Sequence, residues 1–318
     1  MRSLLLIFCA ALLALVGCGP DASSTRGDLT DRPVRVVATT SMIADLAREV
    51  GGDRVEVVGL MGPGVDPHLY NASEGDVGRM AEADLILYNG LHLEGKMVDL
   101  LDRMGERAAA VTDDIDRSRL FTPPEYEGNY DPHVWMDVSM WKGAAGTVAD
   151  RLAALDTTHA EGYRQRAAGY QAELDSLDRW VRSQTERVPS SQRVLVTAHD
   201  AFGYFGRAYD FDVRGLQGIS TATEAGTADV QRLAQFVAER EIPAMFVESS
   251  VSSRSIEAVR AAVRAQGHEV EIGGNLFSDA LGGSGSGAET YEGMIRHNVS
   301  TIVGALAPSS DDAPVAQR

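Results

Sequence analysis

The sequence predicts an α/β protein of two lobes, each with a mainly parallel sheet flanked by helices, joined by one long rigid helix. Three observations predict it. Short β-branched apolar runs alternate with helical patterns, this alternation occurs twice along the chain, and a proline-free stretch with a single apolar stripe separates the two series. In the first series Val34 to Thr40, Val55 to Met61, Leu85 to Asn89 and Ala108 to Thr112 read as buried strands, making a lobe of residues 33–156. The second series makes a lobe of residues 189–307, with strands at Arg193 to Thr197, Phe211 to Leu216, Ala244 to Glu248 and Glu269 to Ile272. Strands that are apolar on both faces need cover on both faces, which is why the sheets are expected to be parallel.

Between the series, Ala160, Tyr163, Ala167, Tyr170, Leu174, Leu177 and Val181 recur at alternating spacings of three and four. That is one apolar stripe on one helix, assigned to residues 157–188 and on the order of 45 Å long at 1.5 Å per residue. The same stripe suits a coiled-coil dimer arm. The seam is only about four heptads long and globular segments flank it, so the linking helix and a monomer are the preferred reading.

The ends carry different information. Met1-Arg2 supplies positive charge ahead of an apolar run, Leu4 to Val16, that is too short to span a bilayer, so residues 1–18 read as a signal peptide. Leu15-Val16-Gly17-Cys18 resembles the lipobox of bacterial lipoproteins, in which the cysteine takes the lipid. Cys18 is then the first mature residue, and residues 19–32 form a polar tether to the membrane. The competing reading is an ordinary signal peptide with an incidental cysteine. Cys9 and Cys18 are the only cysteines, so the folded part is expected to hold no disulfide, thiolate metal site or cysteine nucleophile. Residues 308–318, rich in Pro, Ser and Asp, are expected to be disordered.

Across 318 residues, 44% hydrophobic and 24% charged content is that of a globular chain. A formal net charge of −17 without clustered Lys and Arg argues against nucleic acid as partner. Gly273-Gly274 and Gly282 to Gly287 lack the strand-turn-helix or Lys-Ser/Thr context of a phosphate cradle, and the latter stretch reads as a mobile loop.

Three of the seven histidines sit after strands or turn signals rather than on apolar helix faces. His68 and His133 each end an Asp-Pro-His triplet, at Asp66 and Asp131, and the proline stiffens the backbone that aims the imidazole. His199 follows the strand Val194 to Thr197, at the carboxyl end where open α/β sheets place their ligands. Asp279 follows the strand at Glu269 to Ile272 in the same way. Taken singly, each histidine is as readily a loop residue bonded to a carbonyl. Together, three imidazoles and one carboxylate, two from each lobe, suit zinc, manganese or a neighbouring first-row cation rather than calcium or magnesium. Asp66, Asp131 and Asp200 either orient the adjacent histidine or cap turns. Glu248 either lines the cleft or pairs with an arginine such as Arg254, and Glu224 is a similar case. His92, His159, His268 and His297 are background.

These motifs resemble the solute-binding proteins of zinc- and manganese-importing ABC transporters. Asp66-Pro67-His68, Asp131-Pro132-His133-Val134-Trp135, the run Thr197 to Tyr204 and Ser278-Asp279 occur in that family's order, and the match covers nearly everything after the tether. The resemblance implies that His68, His133, His199 and Asp279 hold one Zn2+ or Mn2+ between lobes, and that a permease and an ATPase are partners. Pro123 to Tyr130 lacks the histidine-rich loop of many zinc specialists, and the contexts after His199 and Gly218 look more like manganese or mixed-specificity members, so both metals stay open. A metal-dependent hydrolase using the same histidines, with Asp200 or Glu248 as base, is the alternative, and Asp279 separates the two because a fourth protein ligand closes the site. A surface adhesion role finds no repeat to support it. Closure is expected to be limited, and binding is expected to weaken around or below roughly pH 6 as imidazoles protonate.

Overall fold

The protein is described by a computed structural model, covering residues 29, 31–126 and 128–307. The signal peptide, Cys18 and the tail 308–318 lie outside the described residues, as does most of the tether.

The amino-terminal half holds one four-stranded sheet, ordered β2-β1-β3-β4, of β1 (Val34–Ala38), β2 (Val55–Gly59), β3 (Leu85–Tyr88) and β4 (Ala108–Ala110), every pairing parallel. The helices α1 (Ser41–Gly51), α2 (Glu74–Glu82) and α3 (Val98–Met104) connect them. Parallel neighbours require such crossovers. Local chemistry sets the boundaries. Thr40 caps α1 by accepting from the Ile43 N–H, and Ser73 and Asp76 form a reciprocal capping box at α2.

The sequence patterns differ from the structure most in the carboxy-terminal half, where two separate two-stranded parallel ladders stand in place of one sheet. One pairs β5 (Val194–His199) with β6 (Asp212–Gln217), the other β7 (Ala244–Glu248) with β8 (Glu271–Leu276). Strands β5 and β7 run side by side without a ladder between them. Gly215 allows β6 to close on the end of β5, since a Cβ there would lie 2.5 Å from the Asp200 nitrogen. Around these strands lie α6 (Gly203–Tyr209), α7 (Thr227–Glu239), α8 (Arg254–Ala265) and α9 (Tyr291–Leu306). The Gly282 to Gly287 stretch closes on itself, with the Gly282 N–H donating to Ala288 O and the Ser286 N–H to Gly283 O.

One long helix links the halves, packing on α1 of the first and on α9 of the second. Ahead of it α4 (Val138–Leu155) runs into a single 3-10 turn at Thr157–His159, and the linking helix, α5 (Ala160–Thr185), follows. At 26 residues α5 is about 39 Å long, shorter than 157–188 because the 3-10 turn takes the first three residues and the helix ends at Thr185. Its buried side chains are Tyr163, Ala167, Tyr170, Leu174, Leu177, Val181 and Thr185, the stripe read from the sequence carried one turn further. They pack into a core continuous from Val34 and Ile43 through Trp141 and Leu152 to Phe246, Leu276 and Ile302. The largest hydrophobic cluster therefore spans both halves, and wide separation of the halves would expose it to water at roughly 25 cal/mol per Å² of apolar surface. Among the described residues no helix is long and apolar enough to cross a membrane.

Candidate metal centre

The two Asp-Pro-His triplets fold alike. In each, the aspartate Oδ1 accepts the histidine backbone N–H at 2.9 Å, an Asx-turn that the intervening proline preorganises. Only the second carboxylate also reaches the ring, Asp131 Oδ1 lying 2.7 Å from His133 Nδ1. Asp66 instead turns its other oxygen to the Thr221 hydroxyl, 2.6 Å away. His199 is the last residue of β5, Glu248 is the last residue of β7, and Asp279 follows the end of β8. All three lie where the carboxyl ends of parallel strands open onto a crevice.

These loops bring His68, His133, His199 and Asp279 together, with one donor atom from each lying within 4.8 Å of all the others. All four are buried, none more than 4% exposed. His68 Nε2 lies 3.3 Å from His133 Nε2, His133 Nε2 3.4 Å from Asp279 Oδ1, and His199 Nε2 3.3 Å from Asp279 Oδ2. Metal–ligand bonds of 2.0–2.1 Å give a tetrahedron with edges of about 3.4 Å. Three contacts have that spacing, the two to Asp279 being made through different oxygens, and the four donors lie close enough to surround one small cation. His199 Nε2 and Asp279 Oδ1 are buried without a hydrogen-bond partner, although a carboxylate oxygen and an imidazole lie close to them. They converge on a shared centre rather than on each other, and a buried polar atom left in that way costs about 1–3 kcal/mol unless something satisfies it.

The surrounding residues fix each donor. Glu248 Oε1 accepts the His199 backbone N–H at 2.8 Å and Oε2 lies 2.5 Å from Nδ1, which turns Nε2 to the centre. The Ser250 hydroxyl donates to Asp279 Oδ2 at 3.1 Å and contacts the Ser278 hydroxyl at 2.9 Å. Trp135 stands edge-on to His133 and donates from Nε1 to Ser278 O. The charges are unevenly distributed as a result. Burial, reinforced by His133 and His199, pulls His68 down to about 3 despite Asp279. Burial opposes charge on His133 as well, but Asp131 and Asp279 outweigh it and leave that imidazole raised to about 9. Burial is likewise outweighed at His199, which Asp279 and Glu248 hold well above its ordinary value. Asp279, against the same penalty, is held well below the usual carboxylate range by His199 and His133.

The weaker sequence candidates separate. Asp131 and Glu248 grip the rings of His133 and His199, and Glu248 does so in place of an ion pair with Arg254. Asp66 holds only the His68 backbone. Asp200 is half-buried, with its backbone N–H on Gln217 O, and Glu224 is exposed on the loop after β6, lining a surface hollow with Tyr126 and Asn129. His159, His268 and His297 bond to Asp156, Ile242 O and Asn275 O, outside the cluster. Ser250 lies outside the sequence candidates, and Ser278 and Thr221 lie in stretches singled out there without a site role. For the first two a signal existed, since Ser249-Ser250 continue the strand end at Glu248 and Ser278 adjoins Asp279, whereas Thr221 meets Asp66 only through the fold.

The chain belongs to the family of the zinc-uptake complex component A, periplasmic (ZnuA), whose sequence model matches residues 36–305. It is 48% identical over 299 residues to the manganese-binding lipoprotein MntA of Bacillus subtilis, covering 93% of this chain and 96% of that one. It is equally 48% identical over 303 residues to the zinc-binding protein TroA of Treponema pallidum, covering 94% and 98%. The solved structure of periplasmic zinc-binding TroA from Treponema pallidum superimposes with a TM-score of 0.84 at 50% identity, covering 87% of this chain and 100% of that one.

Proposed function

We propose that this protein is the extracytoplasmic solute-binding component of an ABC importer, and that it carries one Zn2+ or Mn2+ on His68, His133, His199 and Asp279. The observation that carries the reading is the convergence of four buried donors from both halves, close enough to surround one small cation. Three nitrogens and one oxygen suit a borderline first-row cation, and three imidazoles bind zinc more tightly than manganese by intrinsic affinity. The relatives are named for both metals at equal identity, which supports keeping both as cargo. The permease, the ATPase and a lipid on Cys18 follow from the same family reading, with the protein acting as a monomer on the outer face of the cytoplasmic membrane or in the periplasm.

The carrier reading is preferred to a metal-dependent hydrolase because four protein donors leave no position for a reactive water. Glu248, one of the two bases such an enzyme would use, already has both oxygens on His199. The test is a competitive titration of zinc and manganese against a chelator, on the parent and on His199→Ala. One metal per chain, lost in the variant, supports the proposal; no binding, or equal binding by the variant, overturns it.

A further inference from the structure

We propose that Thr221 is a positioning residue that holds metal in the site by latching the His68 loop shut, an inference that rests on the carrier reading above. The four donors are not equally fastened. The loop bearing His133 is tied into the carboxy-terminal half on both sides: the Tyr204 hydroxyl donates to Asp131 O at 2.8 Å and accepts the Phe121 N–H at 3.1 Å. Trp135 Nε1 donates to Ser278 O at 2.8 Å, and the Tyr291 hydroxyl donates to Trp135 O at 2.7 Å. Further along the same seam, the Leu281 N–H donates to Ser41 Oγ and the Tyr291 N–H to Asp45 Oδ2, each at 2.8 Å. His133, His199 and Asp279 thus belong to one welded body.

His68 does not. After Met61, whose N–H still pairs with Thr39 O beside β1, the chain leaves the sheet as Gly62-Pro63-Gly64, all exposed, and Leu69 just beyond His68 is 47% exposed. Among the described residues, the one hydrogen bond from segment 62–68 backbone or carboxylates into the carboxy-terminal half is Thr221 Oγ1 to Asp66 Oδ2. The same Asp66 holds the His68 backbone N–H through Oδ1, so the two halves of one carboxylate link the latch to the ligand. Thr221 is buried, while Ala222, Thr223 and Glu224 beside it are exposed, so the far end of the latch is a surface loop and not a strand. Metal exchange then needs only the His68 loop to swing out, at the cost of one hydrogen bond and one metal–nitrogen bond. The welded seam stays intact.

The experiment is chelator-driven release of zinc from the purified, loaded protein, followed by stopped flow in the parent, Thr221→Val, Thr221→Ala and Thr221→Ser. Losing the hydroxyl is expected to speed release by about tenfold, the equivalent of one hydrogen bond. Thr221→Ser should restore the parent rate, and thermal unfolding of the metal-free protein should barely move. A residue that merely supports its loop would shift unfolding and leave the release rate in place, and that result, or serine failing to rescue, overturns the latch. If the Val variant folds poorly, the Ala variant decides. A parent that binds no zinc would instead bring down the carrier reading itself.

Discussion

Glu248 holds His199 by two hydrogen bonds at once, one to the backbone N–H and one to the ring Nδ1, with both side chains fully buried. A carboxylate on Nδ1 fixes the proton there and leaves Nε2 as the free donor, and its negative charge makes that donor more basic.

Glu248→Gln keeps the shape but removes the charge, and its amide cannot accept at both contacts. Affinity for zinc should fall about 10–100-fold with the fold retained. Competitive titration checks this, and an unchanged constant would mean that the carboxylate only packs.

The unequal titration of the three histidines sets the proton balance. With His133 raised to about 9, His199 raised well above its ordinary value and His68 lowered to about 3, the metal-free site at pH 7 carries protons on the first two only. A metal must displace them, so binding should release about two protons per ion, and apparent affinity should climb through neutrality, the His133 part of the rise reaching about pH 9. That extends the pH dependence well above the value near 6 expected from ordinary imidazoles. Stability of the metal-free chain runs the other way. His133 contributes stability that is complete below the unfolded value near 6.5 and is lost as pH rises through about 9, and His199, also raised, contributes with the same sign. His68, with its lowered value, costs stability only below 6.5. Calorimetry in buffers of different ionisation heat counts the protons, and a heat independent of buffer would contradict the assignment.

Tyr204→Phe removes the hydroxyl that serves both Phe121 N–H and Asp131 O in a fully buried position. Unpairing these groups should cost about 1–3 kcal/mol in denaturant unfolding. No loss would place water in the gap.

Glu224→Ala, at an exposed position outside the donor cluster, should leave zinc affinity within error of the parent in the same titration. A clear loss would show that the loop after β6 reaches the metal.

Much of this was legible in the chain because it is written in local patterns. Short β-branched apolar runs mark the strands, a three-four stripe marks α5, and Asp-Pro-His encodes the Asx-turns that aim His68 and His133. The split of the second sheet was not legible: β5 and β7 are both buried runs, and nothing in either says whether they pair through backbone or side chains. Glu248 was ambiguous for the same reason, since its partner His199 lies 49 residues away and only the register of two strand ends brings them together. Thr221 and Asp66 are 155 residues apart and carry no shared motif.

The central claim is that one cation sits among His68, His133, His199 and Asp279. Anomalous diffraction at the zinc edge from crystals of the zinc-loaded protein tests it most directly. The account predicts a single strong peak bonded to three imidazole nitrogens and the Asp279 carboxylate. A peak elsewhere, or an ion held by fewer than these four with water completing its shell, would contradict it.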